Sequence, residues 1–235
     1  MKQIRLIIGA LLISAFLVFP ALAQESPAAT AEDVRQLLYG AQSALMGGDS
    51  AGAAQAVQDA ESMYTNTLRP SIAAVAPEIA EALDANFAFA LSAAESGEAN
   101  SLAALRGRIW ADLLGGGTAL TLNALENGDA GTARHWLLLR EFRASTRFSR
   151  PNADATLAID GLLRGQGNVT AALESVEADL FDTYQAQLNG ALSDADQANA
   201  RGYGMKRAEE AGLAAGYFEI LAGAYGEQRG GDALS

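Results

Sequence analysis

Apolar residues recur at intervals of three and four along most of this chain, the period of an α-helix rather than the alternation of a half-buried strand. Val34, Leu37, Leu38, Ala41 and Leu45 form one stripe, and Ile79, Leu83, Phe87 and Leu91 a second. Leu102, Leu105, Ile109, Trp110, Leu113 and Leu114 form a third. Alanine is abundant and β-branched residues are sparse, which favours the same state. The pattern predicts an all-α protein, an antiparallel helical bundle of about seven to eight helices, with two packed helical subdomains as the alternative arrangement.

The breaks between stripes set the expected boundaries. Thr30 is the expected cap of the first helix, Gly47-Gly48-Asp49 closes it, and the next helix runs to about Tyr64. Pro70 and Pro77 interrupt the following segment, and Pro77 occupies a first-turn position. Ser96-Gly97 ends that helix. Gly115, Gly116 and Gly117 fall inside the third stripe, where each costs about 1 kcal/mol relative to alanine, so a break or kink is expected there. The phrase Gly-Asp-x-x-x-Ala at Gly48 and Gly128, with a looser form at Gly167, reads as a turn, a cap and a helix start. Its irregular spacing does not fit a solenoid repeat. Two further helices are expected at about 168–189 and 196–228, followed by a short tail over 230–235.

The N-terminus carries a different signal. Lys2 and Arg5 precede an uncharged apolar run over 6–19, and Ala21-Leu22-Ala23 supplies small residues where a signal peptidase cuts. The run is short for a membrane span, so the expected division is a signal peptide over 1–23, a linker over 24–29 and a helical domain over 30–229. The expected location is outside the cytoplasm, in the periplasm or on the extracellular face of the membrane. No later stretch reaches spanning length, so contact with the membrane is expected only through a partner. Cleavage removes two of the 16 basic residues and none of the 28 acidic ones, so nucleic acid is not an expected partner. The absence of cysteine excludes disulfides, thiolate metal sites and thiol nucleophiles.

Candidate chemistry is sparse. Arg134, Arg140, Arg143, Arg147 and Arg150 lie close together with the only histidine, His135. On a helix Arg140, Arg143 and Arg147 would share a face, so this segment, with Arg150, is a candidate surface for docking a partner or an anion. The same arginines could instead pair with Glu174, Glu177, Asp179 or Asp182 on a packed neighbour. Glu174, Glu177 and Asp182 fall near one helix face and form a candidate metal site for a hard cation, with Tyr184, Tyr203, Tyr217 and Tyr225 as phenolate sources for iron(III). A solvated acidic face has the same pattern. A single histidine cannot complete a zinc site, and Ser145 or Ser149 beside His135 has no nucleophile elbow, so no enzyme activity is expected.

The strings GDAGTARHWLLLREFRASTRFSRPNADATLAIDGL over 128–162, VEADLFDTYQAQL over 176–188 and RAEEAGLAAGYFEILAGAYGEQRG over 207–230 resemble the exported N-terminal helical region of bacterial high-affinity iron permeases. The likeness is close in the C-terminal half and one of general character elsewhere. That family's transport motif, Arg-Glu-x-x-Glu, is not reproduced, because Arg140-Glu141-Phe142-Arg143 is followed by Ala144. The resemblance implies an accessory domain outside the membrane that serves iron uptake, with iron as the candidate bound species. It would capture iron, hand it over, or dock a membrane permease component or another envelope protein. The reading that stands beside it is a helical protein-interaction module of the cell envelope that binds no metal.

Overall fold

The computed structural model describes residues 26–141 and 154–229, and within them the chain forms nine helices and no strand. The expected signal peptide over 1–23, the expected tail over 230–235, Ser145, Ser149 and the arginines Arg143, Arg147 and Arg150 lie outside the described residues. The helices are α1 (Pro27–Met46), α2 (Ser50–Thr67), α3 (Arg69–Val75), α4 (Pro77–Glu95), α5 (Ala99–Glu126), α6 (Ala130–Trp136), α7 (Asp154–Leu163), α8 (Val169–Ala200) and α9 (Gly204–Arg229). The number exceeds the expected seven to eight because short turns of helix, such as α3 and α6, occupy connections too brief to show a period.

The turn phrases behave as read. Gly48, Gly128 and Gly167 all have positive φ, and the side chains of Asp49, Asp129 and Asn168 then accept from the backbone N–H groups of Gly52, Thr132 and Ala171. Pro77 opens α4 in its first turn. Other boundaries move. Ser26, not Thr30, caps α1, accepting from the N–H of Ala29 at 3.1 Å, so the last residues of the expected linker are helical. Helix α8 passes through Gly190 and continues to Ala200, because Ala191 and Ala198 remain buried.

The three glycines do not break α5, which is continuous over 28 residues. They serve contact instead. A Cβ on Gly116 would lie 2.8 Å from Ile72 Cδ1, and one on Gly117 would lie 2.8 Å from the Leu139 carbonyl oxygen. Tertiary packing therefore outweighs their poor helix propensity. Of the 28 residues, 17 are buried, which makes α5 the central helix of the bundle.

Its closest partner is α9, and the two run parallel, whereas helices joined by a tight turn pair antiparallel. Gly107 faces Glu209 and Leu213, Gly212 faces Ala104 and Arg108, Gly216 faces Ala111, and Gly115 faces Ile220. Small residues four apart on both helices let the backbones touch. The pairs α1–α2, α4–α5 and α8–α9 are hairpins closed by the positive-φ glycines Gly48, Gly97 and Gly202. Between the first two lies a core that includes Val57, Leu83 and the stacked rings of Tyr64 and Phe87, 5.3 Å apart. Burying a side chain of this size stabilises the fold by about 1.5–3 kcal/mol.

Candidate functional site

Three helices and the segment after α6 enclose a cleft. Each helix contributes polar and aromatic groups one or two turns apart: Arg35 and Tyr39 on α1, Arg106 and Trp110 on α5, and Glu209 and Tyr217 with Leu213 on α9. Val34, Leu38, Ile109 and Leu113 form the apolar wall. Glu141, just beyond the end of α6, closes one side. Gly107 sets the geometry, because its missing side chain brings the α9 backbone against α5 and places Glu209 beside Arg106.

The contacts inside are specific. Arg106 Nη2 donates to Glu209 Oε1 at 2.5 Å, and Tyr39 OH donates to the same oxygen at 3.2 Å. Trp110 Nε1 and Tyr217 OH both donate to Glu141 Oε1, at 2.7 and 3.2 Å. The Arg35 guanidinium lies 4.5 Å from the Trp110 ring centre, and Arg106 lies 4.2 Å from that of Tyr39. Arg106 is 8% exposed, and its Nε–H has no hydrogen-bond partner. About 60 Å³ of the interior is reachable by a water-sized molecule, and the empty space including the open mouth is about 440 Å³.

The charges balance, with two guanidiniums facing two carboxylates. Burial lowers the Arg35 pKa, but the hydrogen bond and charge of Tyr39, with Glu32 and Glu141, more than offset it, so Arg35 titrates above the ordinary guanidinium range. Burial, then the charge and hydrogen bond of Glu141, push Tyr217 well above the ordinary phenol value. Tyr217 is therefore a neutral donor near pH 7, and it becomes a ligand only for a cation strong enough to displace its proton.

A second cavity, of about 440 Å³, lies among α4, α5, α8 and α9 and is lined by Glu78, Asp112, Thr118, Phe181, Glu219 and Ile220, among others. Asp112 is buried there, bonded by Asn86 at 2.8 Å and paired with Arg108 at 3.0 Å, and Arg108 also pairs with Glu219. Burial raises the Asp112 carboxyl to about 6, against the lowering effect of Arg108 and Asn86.

The residues singled out in the sequence occupy other places. Arg140 is withdrawn from the surface and follows the alternative of internal pairing, a correction to its expected place on a docking face: it pairs with Asp179 at 3.5 Å and donates to Thr156 at 3.0 Å. It follows the end of α6, outside any helix. Arg134 pairs with Asp160 at 3.0 Å. His135 is partly buried and edge-on to Trp136. Glu174, Glu177 and Asp182 lie along α8, and among the described residues no three His, Cys, Asp or Glu side chains gather as a metal site would require. Of the four tyrosines considered as phenolates, Tyr217 reaches the cleft, while Tyr184 stacks behind it with ring centres 6.0 Å apart. Sequence reasoning misses the cleft because Arg35, Arg106, Trp110 and Glu209 come from distant segments; the only local signal is a charged residue four positions from an aromatic, in Arg35–Tyr39 and Arg106–Trp110.

Residues 23–235 match the family model described as the iron permease FTR1 N-terminal domain. The chain belongs to that family. The match extends the likeness seen in the C-terminal half across all the described helices of this FTR1 N-terminal domain, and it makes the protein part of an iron uptake permease system. No curated protein and no solved structure matches the chain. Among its described residues no helix is long and apolar enough to cross a membrane.

Proposed function

We propose that this chain is the extracytoplasmic accessory domain of an iron permease and that it captures iron in the cleft between α1, α5 and α9 for transfer to the membrane component. One observation carries the reading: Glu141, Glu209, Tyr39 and Tyr217, all oxygen donors, converge in a single cleft of a protein without cysteine. Hard iron(III) prefers carboxylate and phenolate oxygen. Trp110 and Tyr217 hold Glu141 in a fixed orientation, and the Tyr184 ring supports Tyr217 from behind. The role is binding and delivery, without catalysis.

The test is thermal unfolding of residues 24–235 with iron(III) citrate, iron(II), copper, zinc and calcium. Ligand at 100 times its dissociation constant adds about 2.7 kcal/mol of stability. Capture predicts a shift selective for iron that is lost in Glu141→Gln and Tyr217→Phe. No shift with any form of iron, or a shift that both variants retain in full, overturns it and leaves docking of a permease component as the role of the domain.

A further inference from the structure

We infer that the cleft takes iron as a carboxylate-type complex, with one oxyanion group of the incoming species held between Arg106 and Arg35 while the metal faces Glu141 and Tyr217. This rests on the capture reading and names the chemical form in which the cargo arrives.

The first observation is the unpartnered donor. Arg106 lines the cleft, is more than nine-tenths buried, and has an Nε–H with no acceptor, although its Nη2 is bonded to Glu209. Buried charged donors are rarely left without a partner, and the shape of a guanidinium edge matches a planar oxyanion. Arg35 stands by, laid against Trp110, with its side chain 38% exposed and its one ion pair among the described residues made to Glu32 at 3.3 Å.

Charge is the second observation. Two guanidiniums and two carboxylates line the cleft, so a bare cation would meet the arginines and a bare anion would meet the glutamates. A metal that brings its own carboxylate presents both signs to both sets.

Size is the third. The interior of about 60 Å³ has room for about four to six water-sized groups, at 10–15 Å³ each. One carboxylate or carbonate fits there. A whole polycarboxylate chelate does not, so its body would stay in the open mouth. Two sources supply the same group: the carboxylate of an organic iron chelate, or bicarbonate from solution that joins iron as a co-ligand.

Affinity is measured by titration calorimetry for wild type, Arg106→Lys and Arg35→Gln, each first checked for a cooperative melt. Four arms are run: citrate alone, bicarbonate alone, iron(III) citrate in carbonate-free buffer, and iron(III) with bicarbonate and no citrate. Arg35 is partly exposed, so its variant keeps the test open if Arg106→Lys does not fold. Iron(III) citrate is expected to bind far more tightly than citrate alone, with affinity falling about tenfold or more in either variant. The same pattern in the bicarbonate arm alone also supports the arginine clamp and assigns the oxyanion to carbonate. Wild-type affinity for both iron forms in both variants overturns the inference and leaves capture standing. No iron binding by wild type in any arm removes capture itself, and this inference with it.

Discussion

Arg140 and Asp179 form an ion pair with both side chains 4% exposed, which joins the segment after α6 to α8 across the bundle. Asp179 Oδ2 also accepts from the N–H of Ala155 at 3.0 Å, so the same carboxylate holds the first turn of α7. Burial lowers the Arg140 pKa and the charge of Asp179 opposes that effect. Removing one partner of such a pair costs about 3–5 kcal/mol, because the other charge remains buried. Asp179→Asn and Arg140→Met are each expected to lower stability by that amount in urea unfolding. Equal stability of either variant and wild type would show that the pair does not fasten the two segments.

The parallel contact of α5 with α9 predicts opposite signs for glycine substitutions. In Gly212→Ala the new methyl would meet the carbonyl oxygen of Ala104, and in Gly107→Ala that of Glu209, and backbone cannot easily move aside. Overpacking of this kind costs about 1–3 kcal/mol, several degrees in Tm for a domain of this size. Gly190 and Gly223 are helical with nothing within 4 Å of the place a methyl would occupy, so Gly190→Ala and Gly223→Ala should each gain about 0.5–1 kcal/mol. Calorimetry of the four variants checks the sign at each site.

Asp112 gives a pH signature. Its folded pKa of about 6 is above the roughly 3.9 of an unfolded chain, so the folded protein holds this proton more tightly. The resulting stabilisation is complete below about pH 4 and is lost as pH rises through 6. Arg108, Glu219 and Glu78 are the charged groups around it and remain in Asp112→Asn. Between pH 7 and pH 5 the stability of wild type relative to Asp112→Asn should rise by roughly 1–1.5 kcal/mol. A difference that does not change with pH would mean that Asp112 titrates as an ordinary aspartate.

Trp110 and Trp136 are the two tryptophans, and only Trp110 lines the cleft. Iron bound beside Glu141 should quench the emission of Trp110 strongly. The quench is expected to persist in Trp136→Phe and to vanish in Trp110→Phe. Quenching retained by Trp110→Phe would place the metal elsewhere on the molecule.

The helical class and most of the punctuation are legible in the residues alone, because those are local physics. A glycine at positive φ followed by Asp or Asn as cap is written in adjacent residues, as at Gly48-Asp49, Gly128-Asp129 and Gly167-Asn168, and the turn forms there. Where a local rule competed with packing, packing decided. Gly115, Gly116 and Gly117 predict a kink by propensity, yet α5 stays continuous through them because Ile220, Ile72 and Leu139 need the space. Asp179 is one of four carboxylates the sequence offers as partners for Arg140 beside a docking role, and only the packing of α8 against the segment after α6 selects it. The cleft belongs wholly to the tertiary structure. Its arginines and glutamates are separated by tens of residues, and only the close parallel approach of α9 to α5 through Gly107, with α1 laid alongside, brings them together.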